Sequence, residues 1–262
     1  MPYQPGPPIS QVSGAGRLLE PRRLNVRVKG ISGHGSMIPD QNPIGELAEA
    51  IGRLATHKFP IRLTNTTRMF LEEMSDALGI DFDEHNVEAT VDKLGSLARL
   101  VGATIRNTAN PTQLHAGSKV NVIPDEATAT VDGRFLPGYE EDFEREVTAI
   151  LGPTVELSWI VRNQALETPF EGSLIDSISS ALRAEDPHAR PVPYMVSAGT
   201  DAKSFTRLGM KCLGFTPMRL PPDMDFTAMF HGVDERVPID ALQFGVRVLR
   251  RLLRPADPMG AE

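Results

Sequence analysis

The sequence predicts an α/β protein in two unlike parts: a ferredoxin-like βαββαβ domain over residues 24–163, then an αβαβα part over 164–262. Three observations carry this. Apolar and polar residues alternate at 24–29, 127–135 and 155–161, the period of half-buried strands. Apolar residues recur every three to four positions after Pro43 and over 140–151, the period of helices lying on a sheet. Once a mostly helical stretch at 59–103 is set aside as an insertion, the order is β-α-β-β-α-β, an antiparallel sheet with two helices on one face.

Taken in order, residues 1–16 hold four prolines and three glycines, so residues 1–23 read as a disordered or linker-like tail. LNVRVK at 24–29 is the first strand, and the glycine-rich loop 30–36 follows it. Ile44, Leu47, Ala48, Ile51 and Leu54 trace one face of the first helix. A strand is expected over 103–114 and its neighbour over 127–135, before Pro137-Gly138 breaks the chain. The second helix shows Phe143, Val147 and Ile150 on one face, and VELSWIV at 155–161 is the last strand. Beyond residue 168 the pattern predicts a helix at 174–184, a strand at 191–196, a helix at 202–208, a short buried strand at 210–215 and a closing helix at 239–253. The closing helix carries Leu242, Val246, Leu249 and Leu253 in one stripe. Two strands make a poor sheet, so this second part looks like half of something, with an apolar face left to cover.

Composition narrows the function. Lys plus Arg is 27 against 34 for Asp plus Glu, a net charge of −7, which disfavours a nucleic-acid partner. The single cysteine, Cys212, excludes an internal disulfide and a multi-cysteine zinc site, and in MKCLGF it reads as a buried packing residue. No apolar run approaches the roughly 18 residues of a membrane span, and the N-terminal stretch lacks the apolar core of a secretory signal, so a cytoplasmic location is expected.

Four motifs carry possible chemistry. Gly33-His34-Gly35-Ser36 sets an imidazole on a tight loop after a strand, where it could polarise a carbonyl or stabilise an oxyanion; an ordinary surface histidine is the bland alternative. Asn121 and Arg134 lie on neighbouring segments of one sheet, and the guanidinium could clamp a carboxylate or simply sit exposed in a strand. Ser197-Ala198-Gly199-Thr200-Asp201 stands before a helix, as an anion site or merely as a capped helix start. His231, in FHGVDERV, could ligate a metal but would need partners. His57, His85, His115 and His188 read as surface residues.

In this order KGISGHGSM, the helix after Asn42-Pro43, GSKVNVIPDEATATVDGRFLPG, SAGTDAKSF and FHGVDERV resemble the M20 family of metallopeptidases and amidohydrolases. The resemblance covers nearly everything from residue 24 onward. It implies a lid and dimerisation domain at 24–163, followed by the C-terminal portion of an α/β zinc-hydrolase catalytic domain at 164–262. It implies that His34 is catalytic, entering the active site of the partner in a homodimer. Asn121, Arg134, Gly199 and Thr200 would bind substrate, and His231 would ligate zinc at a two-metal site that hydrolyses peptide or N-acyl amino acid amides. The family's His-x-Asp motif is absent here. The Glu-Glu pairs at 72–73 and 140–141 fall on helix-like stretches where solvated faces are the ordinary reading. The expectation is therefore that this chain alone is inactive or nearly so, with a non-catalytic dimerisation or carboxylate-binding protein as the alternative. Self-association is expected in either case.

Overall fold

The computed structural model describes residues 21–95, 97–162, 168–196, 200–221, 224–226, 229 and 232–254. Its first part is the mixed α/β architecture the periodicities predict. Strand β1 (Pro21–Lys29) buries Leu24, Val26 and Val28 completely and turns the intervening polar residues to the opposite face. It is followed by the two-residue strand β2 (Gly33–His34) and by helix α1 (Pro43–Thr56). The helix starts where Asn42 accepts the amide of Ile44 at 3.1 Å and Pro43 takes the first helical position. Leu47, Ala50 and Leu54 form its buried stripe.

Strand β3 (Thr108–Ala116), the short strand β4 (Val122–Ile123), strand β5 (Glu126–Arg134) and strand β6 (Glu156–Arg162) complete the sheets; helix α5 (Glu140–Leu151) lies between the last two strands. The four long strands run β3-β5-β1-β6, antiparallel throughout, with β1 central. That is the ferredoxin-like order. Both helices pack on one face, where Leu24, Val26, Val131, Phe135, Phe143 and Val147 share a continuous core. Arg53 on α1 donates to the carbonyls of Ile150 and Leu151 at 2.9 Å, satisfying the C-terminal end of α5. The expected strand onset at 103 moves to 108, because Thr104 and Ile105 are buried in the insertion and Asn107 receives the amide of Leu136 at 2.8 Å. His57 is half-buried rather than superficial, bonded to Glu146 at 2.7 Å and edge-on to Phe59.

The insertion contains helices α2 (Asn65–Leu78), α3 (Val87–Asp92) and α4 (Leu97–Gly102) around a second core of Phe70, Leu71, Met74, Val91 and Ile105. Helix α2 opens on a buried capping box between Thr64 and Thr67 and closes on Gly79 at φ +65°.

The second part departs further from expectation. Helices α6 (Ser173–Arg183), α7 (Ala202–Thr206) and α8 (Ile239–Leu252) form near their predicted places. Residues 191–195 and 210–220, however, are not strands. They have no neighbouring strand among the described residues, and an apolar run pairs only where another edge is offered. Val192 is buried and Tyr194 half-buried against the insertion instead, where Tyr194 meets Phe70 at 5.6 Å. Met195 packs on Leu136. Cys212 is half-buried rather than buried. Helix α8 packs on α6 through Phe244 and Val248, with Gly245 so near the carbonyl of Pro217 that a Cβ there would lie 2.4 Å from its oxygen. The stripe of Leu242, Val246, Leu249 and Leu253 is the outward face, 37–78% exposed. No described helix is long and apolar enough to cross a membrane.

Candidate functional site

Two motifs distant in sequence meet in one small ribbon. Strand β2 pairs antiparallel with β4, Gly33 opposite Ile123 and His34 opposite Val122. Beyond this pairing the Gly35 amide donates to the Asn121 carbonyl at 2.8 Å, and the Met37 amide closes a turn on the His34 carbonyl at 2.9 Å. Gly35 suits this close approach: a Cβ would stand 3.3 Å from the Asn121 oxygen, and the ribbon would have to give by a few tenths of an ångström to admit it. At the ribbon's base the Gly30 amide donates to the carbonyl of Asp125 at 2.8 Å, tying it to the end of β1 and β5. His34 and Asn121 are both exposed, and Ile31, Met37, Ile38 and Val120 beside them are at least 68% exposed. An open groove of about 480 Å³ runs past the ribbon, lined by Ser32, His115, Lys119, Val122, Asp125 and Glu126.

The imidazole has a defined neighbour. Ser36 donates its backbone N–H to His34 Nδ1 at 3.3 Å, and its Oγ lies 2.8 Å from the same nitrogen. Since an amide N–H can only donate, this contact favours the neutral ring with Nδ1 as acceptor and its proton on Nε2. A ring in that state offers an N–H to a carbonyl oxygen. Near the ribbon's base Lys29 bonds Glu156 at 2.9 Å, and this bond holds the carboxyl below the usual carboxylate range.

Arg134 is not part of this group. Register places it at the opposite end of β5 from Glu126, eight residues of extended chain or about 26 Å away. There it bonds Asp132 through two nitrogens, Nε at 2.8 Å and Nη2 at 2.9 Å, on the sheet face away from the helices. Thr200 is exposed, and its Oγ1 accepts the Ala202 amide at 3.2 Å, a turn just ahead of the five-residue helix α7, whose N-cap is Asp201. Gly199 and His231 lie outside the described residues. Two side chains emerge that the motif reading did not single out. Ser36 is signalled only by a hydroxyl two residues past a loop histidine. Asp132 is signalled by its position two residues before Arg134, hence on the same strand face.

Among the described residues no group of three or more His, Cys, Asp or Glu side chains could hold a metal ion. His231 would be one ligand where a catalytic zinc takes about three, so the residues described do not fit a metal centre. The chemistry they can perform is binding and polarisation.

An antiparallel sheet in ferredoxin-like order, interrupted by a helical insertion and bearing a histidine ribbon at one end, defines a class of domain found in peptidases. Residues 22–156 match the peptidase dimerisation domain of the M20 family, and the chain belongs to that family. It is 27% identical over 246 residues to the human N-fatty-acyl-amino acid synthase/hydrolase PM20D1, an alignment covering 89% of this chain and 49% of the relative. It is 28% identical over 225 residues to a probable carboxypeptidase S-like 2 of Dictyostelium discoideum, covering 83% of this chain and 43% of that protein. The chain thus spans about half the length of the curated relatives it matches. Among solved structures it resembles a tripeptidase from Staphylococcus aureus at TM-score 0.59 and 14% identity, covering 93% of this chain and 54% of that one. It also resembles an M20 family metallo-carboxypeptidase from Sulfolobus solfataricus at TM-score 0.55 and 15% identity, covering 92% and 59%. These last two likenesses are of fold.

Proposed function

We propose that this chain supplies the lid and the C-terminal catalytic portion, residues 24–163 and 164–262, of a zinc-dependent M20 hydrolase of peptide or N-acyl amino acid amides. In this reading His34 donates from Nε2 to the scissile carbonyl and so stabilises the oxyanion that develops there. Asn121, one residue from the β4 pairing, adds a side-chain amide beside it. Arg134 holds a substrate carboxylate, Gly199 and Thr200 line the site, and His231 is one of the zinc ligands. No proton transfer is assigned to the residues described, because none of them stands as a general base beside His34.

The observation that carries this reading is the ribbon, which joins the His34 loop to Asn121 and leaves Nδ1 occupied. The distance of Arg134 from that ribbon supports a homodimer, in which the ribbon of one copy meets a substrate held by Arg134 of the other. The purified chain, with zinc added, is expected to show no turnover of dipeptides or N-acyl amino acids. Turnover that disappears in His231→Ala overturns that inactivity. Joined with a polypeptide carrying a His-x-Asp motif and a Glu-Glu pair, the chain is expected to support hydrolysis, and His34→Ala lowers kcat about 100-fold. An unchanged kcat in that variant overturns the role of His34.

A further inference from the structure

We propose that Ser36 is a positioning residue for His34, holding the imidazole in the tautomer that carries its proton on Nε2. The proposal deepens the reading of His34 as the group that polarises a substrate carbonyl, and its relevance to catalysis rests on that reading.

A neutral imidazole in water carries its proton on either nitrogen, and only one form presents a donor at a chosen atom. The loop settles the choice with a single residue. The turn closed by Met37 N–H on the His34 carbonyl brings residue 36 back over the ring. Its backbone N–H then points at Nδ1 from 3.3 Å and its hydroxyl stands 2.8 Å from the same atom. The amide is a donor whatever the tautomer, so a proton on Nδ1 would face another proton. The hydroxyl, free to rotate, follows the amide's choice and donates as well. The amide sets the bias, because the hydroxyl can donate or accept; an imidazole nitrogen is a better acceptor than a hydroxyl oxygen, so the hydroxyl at 2.8 Å reinforces the same choice. Nε2 has no hydrogen-bond partner among the described residues, so the ring's remaining donor is open to a ligand. Gly35 contributes separately by tying the loop backbone to the facing segment, its amide donating to the Asn121 carbonyl at 2.8 Å.

Long-range ¹H–¹⁵N correlation spectra of the histidine rings in this chain, recorded with the rings neutral at about pH 8 or above, test the proposal, with His34→Gln assigning the resonance. The wild-type ring is expected to show the Nε2–H pattern. Ser36→Ala, which keeps the amide donor and loses only the hydroxyl's reinforcement, shifts the tautomer ratio about twofold toward Nδ1–H, and Ser36→Thr restores it. Backbone amide spectra outside residues 30–38 stay unchanged in both variants. A wild-type ring with Nδ1–H dominant, or a ratio unmoved by Ser36→Ala, overturns the proposal. The tautomer is read without substrate. A hydrolysis assay indifferent to His34 with the tautomer intact therefore sinks only the reading of His34, whereas a free tautomer ratio sinks only the role of Ser36.

Discussion

The two parts of the chain handle the same raw material, short apolar runs between helices, with opposite results. In residues 21–162 the runs at β1, β5 and β6 each find an antiparallel neighbour and bury their alternate side chains under α1 and α5. In residues 168–254 the runs at 191–196 and 210–215 look equally strand-like, yet 191–195 and 210–215 pair with nothing described and pack as irregular chain. Sheet formation is a property of pairs. Apolar character decides that a segment will be buried, while a partner edge decides whether it is buried as a strand.

The largest effect expected from this contrast lies in the cores. Among the described residues Phe143 is fully buried in a cluster of fifteen buried residues, whereas Phe244 belongs to one of five. Phe143→Ala is expected to cost about 3–5 kcal/mol in urea unfolding, because neighbours on both the sheet and the helices cannot collapse into the gap. Phe244→Ala is expected to act locally, speeding amide exchange in α6 and α8 while leaving that of β1 and β5 unchanged. Equal losses of global stability from the two substitutions would erase the distinction between the parts.

The same contrast explains how much was legible in the sequence. The bounds of α5, predicted at 140–151, coincide with the observed helix because acidic residues open it and Gly152 ends it. The strands of the first part were visible in their alternation. Pairing of the His34 loop with Asn121 was not, since two residues on each side are too short a pattern to signal a ribbon. The distance between Arg134 and that ribbon was equally hidden. Asn121 and Arg134 are thirteen positions apart on neighbouring segments, and only the register of β5 shows that the strand carries one away from the other. On α8 the periodicity showed the stripe of Leu242, Val246, Leu249 and Leu253, and the structure leaves that stripe outward. The helix has two apolar faces, and the buried small residues Ala241 and Gly245 mark the one that packs, Gly245 allowing the close approach to residue 217.

That outward face gives the next effect in size. Ile239, Leu242, Val246, Leu249 and Leu253 recur at alternating spacings of three and four and are 37–78% exposed, a continuous apolar seam of the sort that seeks cover. The chain is expected to self-associate with rising concentration. Leu242→Glu combined with Val246→Glu should weaken that association at least about tenfold in sedimentation while changing folding stability by no more than about 0.5 kcal/mol. If the double variant associates as strongly as the wild type, self-association runs through the first part alone, for example along the exposed edge of β3, and the two parts differ less than argued.

The smallest effect concerns what fastens α8 to α6. Glu185, just past α6, bonds Arg251 at 2.5 Å and Arg247 at 2.8 Å. The bond from Arg251, then that from Arg247, holds the carboxyl below the usual carboxylate range. A depressed folded value means that the charged form is favoured by folding. Its stabilisation is therefore complete above the unfolded value of about 4.3 and fades as pH falls through the folded one. Acid below about pH 4 should loosen the α6–α8 contact. Glu185→Gln removes that dependence without creating a buried charge, because the two guanidinium groups remain largely open to solvent. The difference in urea midpoint between pH 6 and pH 3 should therefore be smaller in Glu185→Gln than in the wild type. An identical difference would mean that the clamp contributes nothing to folding, and that α8 is held on α6 by the packing of Phe244 and Val248.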